Sequence, residues 1–153
     1  MSMEKLLYLL QLITWCDFKV GVVIVRKIVI ACSAKFYKEA QELKEELEKQ
    51  KYDVIDYPEK INDTIDSEYK KAYESFFDSL NKTDDLLILN LDKKGIEGYI
   101  GYETFAELSF LVVKKIQNNP DHKIYIYKMP SKEVGCYDEI KHFLELGYIE
   151  LFK

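Results

Sequence analysis

A chain of 153 residues is the size of one domain, and with 48% apolar residues it can bury a single substantial core. That apolar share together with 32% charged residues is the composition of a soluble globular protein and argues against disorder. A formal net charge of -5 argues against a dedicated nucleic-acid binder, which would carry a basic face. Three widely spaced cysteines (Cys16, Cys32 and Cys136) and two histidines (His122 and His142) offer no zinc pattern and little for a histidine-based site. Reduced thiols in a cytoplasmic protein, surface histidines and no bound metal or cofactor are therefore the expectation.

Residues 1–26 stand apart from the rest as an apolar extension. The run Leu6-Leu7-Tyr8-Leu9-Leu10-Gln11-Leu12-Ile13 follows Lys5 in the manner of a signal segment, but it lacks the small-residue cleavage site and is too short to cross a bilayer. It reads either as an apolar helix docked on the domain or on a partner chain, or as a leader from an upstream start. No membrane partner is expected.

The domain proper spans residues 27–153. Residues 27–32, with Ile-Val-Ile-Ala at their centre, form the kind of short apolar run that makes a buried parallel strand. Residues 34–50 then place Phe36, Ala40, Leu43 and Leu47 on one helical face. A second strand follows over 52–57, closed by Pro58, and a second helix over 67–80 with Tyr69, Ala72, Tyr73, Phe76, Phe77 and Leu80 on its apolar side. The third strand, 85–91, leads through a glycine loop into a helix over 102–116, which Asn118-Asn119-Pro120 stops. A fourth strand at 123–128, a helix from the Met129-Pro130-Ser131 turn through residue 146, a cap at Gly147 and an edge strand at 148–152 complete the chain.

Strict strand–helix alternation predicts a three-layer α/β/α fold of the flavodoxin or Rossmann-like kind. Its five-stranded parallel sheet should have the order 2-1-3-4-5. Ligands of such sheets sit at the carboxyl ends of strands 1 and 3, where the connections diverge. This expectation gathers Ser33, Phe36, Asn90, Asp92, Gly98, Gly101, Thr104, Glu103 and Glu107 around one crevice. The loop Gly95-Ile96-Glu97-Gly98-Tyr99-Ile100-Gly101 lets the backbone approach a ligand closely, yet it is neither a Walker A loop nor a dinucleotide fingerprint. Structural roles stand beside these. Thr104-x-x-Glu107 reads as a capping box, Ser33 as a helix N-cap, and Asn90 and Asp92 as loop stabilisers.

Several stretches together resemble the nucleoside 2-deoxyribosyltransferase-like family, which includes deoxynucleoside monophosphate N-glycosidases. They are Ile28-Val29-Ile30-Ala31-Cys32-Ser33-Ala34-Lys35-Phe36, then Tyr52-Asp53-Val54 with Pro58, then Asp84-Asp85-Leu86-Leu87-Ile88-Leu89-Asn90, and finally Thr104-Phe105-Ala106-Glu107-Leu108-Ser109-Phe110-Leu111. The resemblance covers residues 27–128. It implies that Glu107 is the nucleophile, attacking the anomeric carbon, expelling the base and holding the sugar as an ester until water or a second base accepts it. It also implies a homo-oligomer and a small nucleoside or nucleotide as ligand. The family's aspartate, six residues before that glutamate, is replaced here by Gly101, and Glu103 is the acid nearest to take its place. The aspartate ahead of the third strand has only Asp78 as a shifted counterpart. A nucleotide-binding module without chemistry is the competing reading. Flavin electron transfer is disfavoured because Cys32-Ser33-Ala34-Lys35 lacks a Ser/Thr-rich phosphate loop.

Overall fold

The structure, a computed structural model, describes residues 24–60 and 66–153. The strands are β1 (Lys27–Ala31), β2 (Asp53–Asp56), β3 (Asp85–Ile88), β4 (Lys123–Ile126) and β5 (Glu150–Leu151). The helices are α1 (Tyr37–Lys49), α2 (Asp66–Lys82), α3 (Tyr102–Gln117) and α4 (Tyr137–Glu145). All strand pairs are parallel and the order is β2-β1-β3-β4-β5, the expected topology.

The strands lie where apolar residues run without alternation, because both faces of the sheet are covered. Val29, Ala31, Leu86, Ile88, Ile124 and Ile126 pack under α2, α3 and α4, while Ile28, Ile30, Val54, Leu87 and Leu89 pack on the face of α1. Every residue of β3 is buried, which makes it the central strand in burial as well as in order. The helix spacing is likewise as read: Ala40, Leu43 and Leu47 are the buried face of α1. Among the described residues no helix is long and apolar enough to cross a membrane.

Three local expectations give way to the structure. Residues Ala34–Phe36 form a single 3-10 turn instead of the first turn of α1, with the Phe36 amide donating to the Ser33 carbonyl at 2.9 Å. The Ser33 side chain makes no capping bond, so its N-cap role is not realised. The last helix starts only at Tyr137, because residues 131–137 are spent on successive i to i+3 turns, Val134 to Ser131 and Tyr137 to Val134. Gly147 does end that helix, in the left-handed conformation (φ 73°) that places its amide on the Leu144 carbonyl at 3.1 Å.

His122 is a correction: it is 5% exposed and its Nδ1 lies 2.7 Å from the Asp84 carbonyl, whereas His142 is exposed as expected. It belongs to the polar seam at the amino ends of β1, β3 and β4. There the fully buried Asp85 accepts from Arg26 Nε at 2.8 Å, from Arg26 Nη2 at 2.5 Å and from the Lys123 amide at 3.1 Å. The Asp85 side chain holds the Arg26 guanidinium above its usual range. Arg26 also donates to the Asp121 carbonyl at 3.0 Å and accepts from the Asp53 amide at 3.0 Å, so one residue ahead of β1 ties four segments together. The apolar run within residues 6–13 lies outside the described residues.

Candidate functional site

Helix α2 packs on the sheet through its second half, where Leu80 is fully buried and Phe76 and Phe77 are half-buried. Its first half stands away: Tyr69 and Tyr73 keep 46% and 40% of their surface exposed. The gap so left is a cavity of about 460 Å³ at the carboxyl ends of β1 and β2, a volume suited to a small organic ligand. Its floor is Cys32, Ala34 and Asp56; one wall is the aromatic side of α2, with Tyr69, Tyr73 and Phe76; the other is the first two turns of α3, with Glu103 and Glu107. Tyr57, Pro58, Glu59, Lys60 and Glu68 line the rim.

Glu107 is half-buried and its carboxyl is pushed up from its ordinary value near 4.5 to about 8. Loss of hydration is the main cause, and the negative charges of Glu103 and Asp56 add to it. Asp56 is raised as well, chiefly by burial. Glu103 is exposed and accepts a hydrogen bond from the Tyr69 hydroxyl, which joins α3 to α2 across the cavity. The Cys32 thiol is pushed up to about 12 by burial and by Glu107, so it lines the floor as an inert thiol. These three carboxyl groups thus share one cavity in unequal surroundings, with Glu107 the one most strongly affected by burial.

The capping box is not formed. Gly101 is the N-cap of α3, in extended conformation (φ -79°, ψ 167°), and Thr104 and Glu107 follow three and six residues later. Thr104 is buried in the packing of the helix, and Glu107, a turn further in, is left pointing at the cavity rather than back to an amide. A structural role that explains the glutamate by itself is thereby removed.

Of the residues expected in one crevice, Glu103 and Glu107 are on the cavity walls, while Ser33, Phe36, Asn90, Asp92, Gly98, Gly101 and Thr104 are not. The reason is that the glycine loop folds onto itself. Asn90 is fully buried; its Nδ2 donates to the carbonyls of Lys128 at 2.6 Å and Gly98 at 3.2 Å, and its Oδ1 accepts from the Lys128 amide at 3.1 Å. Asp92 accepts the Gly98 amide at 2.9 Å and pairs with Lys128, which holds its carboxyl below the usual range. Ser33 Oγ accepts from Lys93 Nζ at 2.7 Å, and Lys93 lies over the Tyr99 ring, 4.6 Å from its centre. The loop builds the scaffold behind the site.

Gly98 shows how tightly. It is in the left-handed region (φ 60°), and a Cβ there would lie 2.9 Å from Pro130 Cα and 3.1 Å from Asn90 Nδ2. Gly98→Ala is therefore expected to cost about 2–4 kcal/mol, the left-handed penalty and overpacking together. A urea titration should show a lower midpoint at unchanged slope, and an unmoved midpoint would contradict this role.

Sequence reading passed over the aromatic side of α2 and the group Asp56, Glu59 and Glu68. Tyr69, Tyr73 and Phe76 fit a plain core stripe, and nothing in the chain tells that half the helix stands off the sheet. Asp56 was findable, since the carboxyl-end rule applies to β2 as much as to β1 and β3. A larger groove, of about 660 Å³, lies on the α1 face beside Leu43, Leu89, Tyr127 and Phe152, away from Glu107.

Fold and site define an α/β/α domain with a carboxylate-lined, aromatic-walled cavity at the carboxyl ends of its strands. No family model, no curated protein and no solved structure matches this chain.

Proposed function

We propose that the chain cleaves or exchanges the N-glycosidic bond of a 2-deoxynucleoside or its monophosphate, in the manner of the nucleoside 2-deoxyribosyltransferase-like family it resembles. The observation that carries this reading is Glu107, which faces an aromatic-walled cavity and is freed from any capping duty. A Glu107 oxygen attacks the anomeric carbon and forms a C–O bond as the C–N bond breaks. The bonding pair leaves on the base nitrogen, which takes a proton from solvent through a water that the Glu103 carboxylate, on the cavity wall, is placed to orient. Water, or the ring nitrogen of a second base, then attacks the same carbon, loses its proton and restores the carboxylate. The anomeric carbon turns cationic on the way, and the surrounding carboxylates favour that charge.

Tyr69, Tyr73 and Phe76 are the stacking surface for the base. A second copy of the chain, covering the exposed Tyr69 and Tyr73, fits the homo-oligomer implied by the resemblance, and a cytoplasmic location fits the free thiols of Cys32 and Cys136. The competing reading is a nucleotide-binding module without chemistry. What favours it is Gly101, which leaves the start of α3 without the family's aspartate. Incubation with a panel of deoxynucleosides and deoxynucleotides, with and without an acceptor base, tests the two. Release or exchange of base, read by chromatography, supports the enzyme; binding without product supports the module.

The raised carboxyl sets a pH dependence. With a pKa of about 8, only about a tenth of Glu107 is ionised at pH 7. The nucleophile is the ionised form, so kcat/KM should rise with pH along a limb whose midpoint is near 8. Glu103→Gln should move that midpoint down, because it removes the larger of the two repelling charges. Stability should run the other way. Glu107 takes a proton more readily folded than unfolded, so its burial costs nothing below about pH 4.5 and progressively more up to about pH 8. A flat rate profile across this range would contradict the assignment.

A further inference from the structure

Resting on the function proposed above, we infer that the cavity selects an uncharged nucleoside and rejects the 5′-monophosphate, because five of the six charged side chains that line it are carboxylates. Five acidic residues line it: Asp56, Glu59, Glu68, Glu103 and Glu107. Among its described lining residues Lys60 is the only cation, and Glu59 stands beside it.

With the anomeric carbon at Glu107, the base and the 5′ carbon stand on the same face of the sugar ring, on either side of the ring oxygen, and the attacking carboxylate takes the other face. Away from the aromatic wall of Tyr69, Tyr73 and Phe76, the charged side chains left to meet a 5′ group are Asp56, Glu59, Glu68 and Glu103, with Lys60 alone of opposite sign. A phosphate dianion there meets mostly carboxylates in a partly desolvated site, where like charges repel more strongly than in bulk water. A hydroxyl in the same place donates a hydrogen bond to those carboxylates. The same negative wall that favours the cationic sugar therefore disfavours an anionic substituent on it.

The molecule does carry a basic group near the switch point, formed by Lys35, Lys93 and Lys94, but none of the three lines the cavity. Lys93 is moreover spent on Ser33 Oγ and the Tyr99 ring.

The test compares kcat/KM for deoxyadenosine, deoxyguanosine, deoxycytidine and thymidine with their 5′-monophosphates, at pH 8 and low salt, alongside calorimetric binding of each. The nucleosides are expected to be favoured at least tenfold, and the gap should narrow as salt screens the carboxylates. The rim variant Glu59→Lys/Glu68→Lys should narrow it further by improving the monophosphates, with circular dichroism confirming the fold. Monophosphates used as well as nucleosides or better would overturn this inference and leave the proposed function standing. A ratio unmoved by salt and by the rim variant would overturn its electrostatic basis. Neither turnover nor binding in either series would overturn the proposed function and this inference with it.

Discussion

Glu107→Gln is expected to lower turnover by about 10³-fold or more while the protein stays folded, because an amide cannot form the glycosyl ester. The substitution is nearly isosteric, and it removes a carboxylate that burial has pushed up to about 8. Stability should therefore be equal below about pH 4.5 and higher than that of the unaltered chain at pH 8 and above. A helix-cap role predicts the opposite pattern, modest loss of stability and intact chemistry. The position of the N-cap at Gly101 already speaks against it. Chromatographic rates and urea titrations on the same two proteins separate the outcomes, and undiminished turnover in the variant would end the nucleophile assignment.

The largest effect on the fold is expected at the other end of the sheet. Arg26→Met would leave the fully buried Asp85 with the Lys123 amide but without the guanidinium that now binds both its oxygens. Breaking one side of a fully buried ion pair costs about 3–5 kcal/mol. The loss here should fall toward the lower end, because the Arg26 side chain keeps 32% of its surface exposed, and is still a large part of the roughly 5–15 kcal/mol that holds a domain together. Replacing both partners, as in Arg26→Met/Asp85→Leu, should recover much of the loss, because no unpaired charge then remains. A loss below about 1 kcal/mol in the single variant would show that water reaches Asp85 and that the pair is ordinary surface electrostatics.

The layout of the fold was legible because burial on two faces forces an unusual composition. Ile28-Val29-Ile30-Ala31 and Leu86-Leu87-Ile88 have no polar partner in alternation, and in a chain that alternates strands with helices they belong to a parallel sheet. Chain handedness then leaves few orders of strands. Glu107 was legible for a different reason, its place after a glycine loop and inside a helix start.

What escaped reading depends on distances that periodicity does not carry. The same 3.6-residue stripe in α2 packs Leu80 and lifts Tyr69 off the sheet, and only the path of the helix decides which residues become core and which become cavity wall. Asn90 and Asp92 stand where ligand groups usually stand, yet their hydrogen bonds are consumed by Lys128 and Gly98, partners remote or irregular in sequence. Thr104-x-x-Glu107 has the spacing of a cap, but the helix begins one turn earlier because Gly101 already supplies an extended N-cap.

The central claim is that Glu107 carries the sugar, and covalent trapping tests it most directly. A 2-fluoro-2-deoxynucleoside makes the cationic transition state costlier and slows loss of the sugar from the ester, so the intermediate accumulates. Digestion and mass spectrometry should then find the fluorinated sugar on the peptide containing Glu107, in the unaltered protein and not in Glu107→Gln. Base release from the unaltered protein with the sugar on another residue, or with no adduct at all, would contradict it.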